Sequence, residues 1–531
     1  MATVSIEQGM LQGRKSQTDN RFVFYEFVGI PYAKPPVGQL RFKSPQPPEK
    51  WYGVRDATVA NKNNVSLQTD VISGRVVGSE DCLYLNVYTP KIPAEKSETL
   101  PVMIYIHGGG FIRGNGILEN EHGPDFLIEH NVVIVTINYR LSVLGFLSLD
   151  IPEVAGNMGL KDQVKALEWV QNNIKHFGGD KNNITLFGLS AGSACVEYHI
   201  VSPRSKGLFH KAILQSGSCL NHWAVNNESM KVVSLLAASL GYKGSLENKI
   251  CLNEFFLNIP GTALTASATQ IAENWKVDGF FFGFVPCIEK DFGNGEAFLT
   301  EKPYELLKMG NFNHVPVIKG FCNKEGYLMR IAKPKTISHI LEMKIFTDRW
   351  SFDFDATERC KYDAQLAQAY TEDIKPGDEY DALAVDFITD SEMVSGIWIS
   401  GKMMAGHGVP VRFYEFCYDG NINYFKRLCC IKGRGAAHTD DQSYVLCHKL
   451  MRRAIGQDLI IRNLMTKMWT NFAKYSSPTP EDRLETLTEW PAFTENNPVS
   501  LRIDREIKLL TNYEPKRMKI FEEIYDKHYS C

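Results

Sequence analysis

From about residue 101 the chain carries short, continuous apolar runs rather than alternating ones. They are Val102–Ile106, Val132–Ile137, Asn183–Phe187 and Lys211–Leu214, and two more strands stand out later, Val315–Gly320 and Val411–Phe416. Between the second and third runs, Leu160, Val164, Leu167, Val170 and Ile174 recur at helical spacing. Strands apolar on both sides, alternating with helices, predict a parallel sheet covered on both faces. The first 90 residues read as short strands punctuated by Pro and Gly, with Phe22–Val28 and Cys82–Tyr88 the clearest. Residues 225–310 and 330–400 read as mostly helical, and Leu459–Lys474 as a late amphipathic helix. No repeat and no clean linker interrupts this order. The expected architecture is α/β, a single domain over residues 1–531 with helical insertions.

Composition narrows the classes. Of 531 residues, 44% are hydrophobic and 22% charged, which excludes a disordered chain. The net charge of −3 argues against a nucleic-acid partner, which requires a basic face. No run reaches the roughly 18 to 20 apolar residues of a membrane span. The start, Met1-Ala2-Thr3-Val4-Ser5, has neither the basic nor the apolar region of a signal peptide, so a cytoplasmic setting is expected. Twelve scattered Cys with no C-x-x-C fit free buried thiols better than a disulfide framework.

Gly188-Leu189-Ser190-Ala191-Gly192 matches G-x-S-x-G, placed after an apolar run and before helix-compatible sequence. A strand-to-helix turn this sharp strains the Ser backbone and needs neighbours without bulk. It lifts the hydroxyl clear of the sheet, so Ser190 is the candidate nucleophile. His107-Gly108-Gly109-Gly110 ends the first apolar run. Its glycines can turn backbone N–H groups toward one point, and Gly109, Gly110 and Ala191 are the candidate oxyanion donors. The spacing fits neither a phosphate loop nor a dinucleotide fingerprint, and no metal-ligand spacing occurs. No cofactor or metal is expected.

A Ser nucleophile needs a base and an orienting acid, in the chain order Ser, acid, His. His438 lies in a Gly-rich loop well after a strand, and Glu325 follows the 315–320 run closely. His407 precedes its strand, His448 lies in a helix-like run, His339 in the helical middle and His528 in the tail. Asp440 and Asp441 adjoin His438 but point elsewhere more easily.

These residues, with Gly29–Ala33, Ser79–Val87, Gly156–Gln163, Gln215–Ser218 and Glu325-Gly326 in order, resemble the type-B carboxylesterases of the carboxylesterase and cholinesterase family. Intracellular insect esterases are the closest in look. The resemblance runs nearly end to end and implies an α/β-hydrolase fold, with a large, mostly parallel sheet flanked by helices. It implies ion pairs of Arg41 with Glu80 and Arg140 with Asp162, a Ser216 hydroxyl supporting the acid, and Trp223 in an acyl pocket. Core packing is the plain alternative for Trp223. The chain departs from the family in three places. No Cys precedes Cys82, so the family's first disulfide cannot form. Residues 65–81 hold no Trp for a choline cation. Leu189 stands where the family commonly has Glu or Gln.

The resulting expectation is a serine carboxylesterase acting on small hydrophobic esters, in xenobiotic, semiochemical or lipid-ester metabolism. The alternatives are a slow-turnover protein that sequesters ligands or organophosphates, and a non-catalytic binding protein on the same fold.

Overall fold

A computed structural model of the chain describes residues 2–529 apart from 62, 94–97, 118–122, 275–278, 333–345, 351, 373–379, 449–452 and 481–488. A thirteen-stranded sheet runs through it. Its N-terminal part is antiparallel, from Ala2–Ile6, Gly9–Gln17, Val23–Pro31 and Tyr84–Thr89. The six expected strands, with a seventh at 499–503 not singled out from sequence, form its parallel part: β1 Leu100–Ile106, β2 Val133–Ile137, β3 Gly179–Leu189, β4 Lys211–Gln215, β5 Val317–Cys322, β6 Val411–Phe416 and β7 Val499–Ile503. An antiparallel strand, β8 Ile507–Thr511, closes the edge. The order across this part is β2-β1-β3-β4-β5-β6-β7-β8.

The two-faced burial has its expected cause. Val102, Ile104 and Ile106 of β1 join one apolar cluster, while Met103 and Tyr105 join the cluster on the other face. Helix α1, Met158–Asn173, covers the first face with Leu160, Val164, Leu167 and Val170. A helix over Gln457–Tyr475 covers the second with Met465, Trp469 and Phe472. A strand with both faces occupied is mostly apolar, and β2, β4 and β5 are buried at every position, with polar members such as Gln215 and Lys319 paired inside.

Two expectations need correction. β3 begins at Gly179, four residues before its apolar run, because its first half is partly exposed and polar. Within the stretch expected to be mostly helical, residues 279–302 contain neither helix nor strand. Gly279, Gly283, Pro286, Gly293 and Gly295 punctuate it, and Gly283 holds a positive φ of 77°. The expected ion pairs are present. Arg41 grips Glu80 at 2.7 and 2.8 Å, and buried Arg140 grips Asp162 at 2.6 and 2.8 Å. Among the described residues no disulfide joins the eleven cysteines, seven of which are buried.

Candidate active site

β3 ends at Leu189 and helix α2, Ala191–Val201, starts two residues later. Ser190 makes this turn alone, at φ 58° and ψ −124°, a conformation that costs an L-residue on the order of 1–3 kcal/mol. Close packing enforces it. A Cβ on Gly192 would lie 2.7 Å from the His107 carbonyl oxygen and nearer still to that of Ile106. A Cβ on Gly188 would overlap the Gly192 backbone. A Cβ on Gly217 would stand 2.9 Å from the Ser190 carbonyl carbon. Thus three glycines, two inside the motif and one on the next strand's loop, clamp the turn. The Ser190 N–H donates to the Gln215 carbonyl at 2.8 Å, tying the turn to the end of β4. Every residue of α2 is buried, and its N-terminus points its positive end at Ser190.

The loop after β1 lies against this turn. A Cβ on Gly108 would be 3.1 Å from the Ser190 Cβ. Gly109 and Gly110 hold φ values of 109° and 64°, which turn their amides without a side chain in the way. The Gly109 carbonyl accepts from the Ile112 and Arg113 N–H groups at 3.2 and 3.1 Å, which locks the loop. Among the described residues none accepts a hydrogen bond from the N–H of Gly109, Gly110 or Ala191. His107 braces the loop from below. Its ring stacks on Tyr139 at 4.5 Å, and its Nδ1 meets the Gly108 carbonyl at 2.9 Å. Burial pulls its pKa down to about 4, so it is a neutral strut near pH 7.

Glu325 and His438 come together from the ends of β5 and β6. His438 Nδ1 and Glu325 Oε2 are 2.5 Å apart, and both side chains are buried. The other Glu325 oxygen accepts from the Cys322 N–H at 2.7 Å. The Lys324 N–H donates to the Ala436 carbonyl at 3.0 Å, which brings the acid loop and the base loop side by side. Asp440 closes the His438 turn by accepting from the Ala437 and Lys426 N–H groups at 2.8 and 3.1 Å. Asp441 accepts from Tyr414 at 2.7 Å and from the Gln215 side chain at 2.9 Å. Both aspartates therefore point away from the His438 ring, as their sequence position suggested. Burial raises their carboxyls, that of Asp440 to about 7. Gln215 links the halves of the site, since its carbonyl holds Ser190 and its side chain holds the base loop. Among the described residues no hydrogen bond joins Ser190 to His438. Such contacts often tighten only when substrate is bound.

Ser216 departs from its expected role. It is buried at φ 57°, and its hydroxyl has no partner among the described residues. Its contribution is the backbone N–H, which donates to the Gly320 carbonyl at 2.8 Å and joins the ends of β4 and β5. Trp223 is 3% exposed and donates from Nε1 to the Glu392 carbonyl at 2.7 Å. Its ring meets Phe111 at 6.3 Å and Phe282 edge-on at 5.9 Å. Phe282 was not singled out from sequence, yet a Cβ on Gly110 would strike its ring at 2.6 Å. Phe280 stacks on Phe282 at 6.0 Å. Trp223, Phe282 and Phe280 thus form one aromatic wall beside the Gly108–Gly110 loop. The run of three Phe at 280–282 was its only sequence signal.

A buried ion pair beneath the site also went unread. Lys319 of β5 meets Glu197 of α2 at 2.6 Å, with both side chains fully buried. Glu197 also accepts from the Ser218 hydroxyl and from the Cys219 N–H, and Lys319 also meets Ser400 at 2.5 Å. The pair anchors α2 to the loop that carries Gly217. Among the described residues no cluster of three or more His, Cys, Asp or Glu could hold a metal ion, and no helix is long and apolar enough to cross a membrane.

Residues 1–521 match the profile of the carboxylesterase family. The chain is 33% identical to a juvenile hormone esterase of Tribolium castaneum, over 94% of this chain and 87% of that one. It is 34% identical to esterase E4 of Myzus persicae, over 90% and 87%. It is 32% identical to the pyrethroid hydrolase Ces2e of Rattus norvegicus, over 96% and 89%. Its structure superimposes on the crystal structure of Manduca sexta juvenile hormone esterase, with OTFP covalently attached, at a TM-score of 0.84. That match has 29% identity and covers 99% of both chains.

Proposed function

The chain belongs to the carboxylesterase family and is a carboxylic ester hydrolase, and on that premise we propose that it works through a covalent serine intermediate on hydrophobic carboxylic esters. Ser190 Oγ attacks the ester carbonyl carbon while its proton passes to His438 Nε2. Glu325 receives the Nδ1–H hydrogen bond, which selects the tautomer that leaves Nε2 free to accept. The charge on the carbonyl oxygen falls to the N–H groups of Gly109, Gly110 and Ala191, each worth about 3 kcal/mol in the transition state. The C–O bond to the alcohol breaks as His438 returns the proton to the leaving oxygen. Water, deprotonated by His438, then attacks the acyl carbon and frees Ser190 and the acid.

The observation that carries this reading is the 2.5 Å contact of His438 Nδ1 with buried Glu325, at the same end of the parallel strands as the Ser190 turn. The aromatic wall of Trp223, Phe280 and Phe282 supports a hydrophobic acyl site. The names of the relatives, juvenile hormone esterases and a pyrethroid hydrolase, support esters of that character. We place the activity in xenobiotic, semiochemical or lipid-ester turnover.

The test is hydrolysis of 4-nitrophenyl esters from acetate to octanoate by the wild type and Ser190→Ala. Steady turnover that is lost in the variant, with an organophosphate trapping one site per chain, supports the proposal. A single stoichiometric burst without turnover supports a sequestering protein instead. No burst in folded protein overturns the serine mechanism.

A further inference from the structure

The helix that begins at Tyr380 switches at Asp390–Val394 into a π-turn before continuing as helix α3, Ser395–Gly406. A π-turn leaves helix carbonyls without their usual partners, and such turns gather at functional sites. Here the carbonyls are met from outside the helix. Trp223 Nε1–H donates to the Glu392 carbonyl at 2.7 Å, and the Asn221 amide donates to the Met393 carbonyl at 3.0 Å. The Glu392 side chain is fully buried and points to the same region. Its Oε2 accepts from the Phe280 N–H at 3.2 Å, and His222 Nε2 approaches that oxygen to 3.2 Å without hydrogen-bond alignment. One residue therefore holds two segments, the His222–Trp223 turn and the stretch at Phe280. Its carbonyl fixes Trp223, its carboxylate fixes the backbone of Phe280, and His222 stands beside the carboxylate. Just before the turn, the Thr389 hydroxyl accepts from the Gly326 N–H at 3.0 Å, adjoining Glu325.

We propose that Glu392, with His222, is a positioning residue that sets the acyl-chain preference of the site. It does so by holding the Phe280–Phe282 wall against the oxyanion loop, and the inference rests on the esterase reading of Ser190. Residues 279–302 have no helix or strand of their own. The position of Phe280 therefore depends on contacts such as its N–H bond to Glu392. Phe282 stacks on Phe280 and stands where a Gly110 side chain would be. Releasing Phe280 loosens the surface that limits the acyl group. Glu392 acts here on the backbone of Phe280 and on the Trp223 ring, so its change is read in acyl preference and not in the chemistry itself. A buried carboxylate at this point is also a means of selection, because shortening it vacates space behind the wall.

The test is the ratio of kcat/KM for 4-nitrophenyl octanoate to that for the acetate, measured in folded enzyme counted by organophosphate titration. In Glu392→Ala the ratio should rise at least fivefold through a lower octanoate KM, with acetate kcat within threefold of the wild type. Glu392→Gln keeps an oxygen facing the Phe280 N–H and should return the ratio to within threefold of wild type. His222→Gln, a milder change from the other side, should move the ratio in the same direction as Glu392→Ala by at least twofold, and it reads the proposal if the alanine variant does not fold. An unchanged ratio, or an equal fall for every ester, overturns the proposal while leaving the esterase reading intact. A wild type that turns over no ester overturns both.

Discussion

Gly192→Ala tests the packing argument for the nucleophile turn most directly. The added Cβ would lie 2.7 Å from the His107 carbonyl oxygen and closer to that of Ile106. Carbon and carbonyl oxygen settle at about 3.3 Å or more, so the start of α2 must withdraw from the end of β1 by about 1 Å. Both obstructing atoms are backbone in a buried strand end, and no side chain can rotate aside. Ser190 and the Ala191 N–H ride on the displaced turn, whereas Gly109 and Gly110 stay with β1. Misplacement of reacting groups by about 1 Å costs on the order of 10²-fold in rate. The expected result is a folded variant whose kcat on 4-nitrophenyl butyrate is about 10²-fold lower per titrated site. Gly406→Ala is the control, because a Cβ there meets nothing within 4 Å. It should leave kcat unchanged. A folded Gly192→Ala enzyme with per-site kcat within threefold of the wild type would refute the reasoning.

Further outcomes follow from other contacts. Glu325→Gln keeps the shape of the acid but offers an N–H toward His438 Nδ1, so kcat should fall about 10⁴-fold through the wrong tautomer, with KM little changed. Lys319→Met strands buried Glu197 and should cost about 3–5 kcal/mol in urea unfolding, whereas adding Glu197→Met should recover most of it. Equal losses in the single and double variants would disprove the account of that pair. Burial holds the Asp440 carboxyl at about 7 in the folded chain against 3.8 when unperturbed. The folded state therefore binds this proton more tightly, and the stability it brings is full below pH 3.8 and lost as pH rises toward about 7. Asp440→Asn should accordingly lose less stability than the wild type across that window, and identical pH slopes would contradict the assignment.

The parallel sheet was legible because strands buried on both faces must be apolar at consecutive positions, and Val411–Phe416 even kept its limits. The Ser190 turn was legible because its steric demand falls on neighbours two residues away in the chain. The aromatic wall was not, since Phe280 and Phe282 lie in a segment without periodicity and gain meaning only from their approach to Gly110. The third clamping glycine, Gly217, could be quoted as part of a motif, but its reason lies in the Ser190 carbonyl on a neighbouring loop. Lys319 and Glu197 looked like any other charges, and only burial between β5 and α2 makes them a pair. Ser216 was read for its hydroxyl, and only the tertiary structure shows that its amide joins the ends of β4 and β5 through the Gly320 carbonyl.

The chain by itself thus determined the sheet, the strained nucleophile turn and the order of the candidate chemical groups, because these depend on local sterics and on periodic burial. Tertiary structure alone decided how near Glu325 comes to His438, which phenylalanines border the site and which charges are buried together. Those outcomes depend on distances between segments separated by up to hundreds of residues, and such distances leave no periodic trace in sequence.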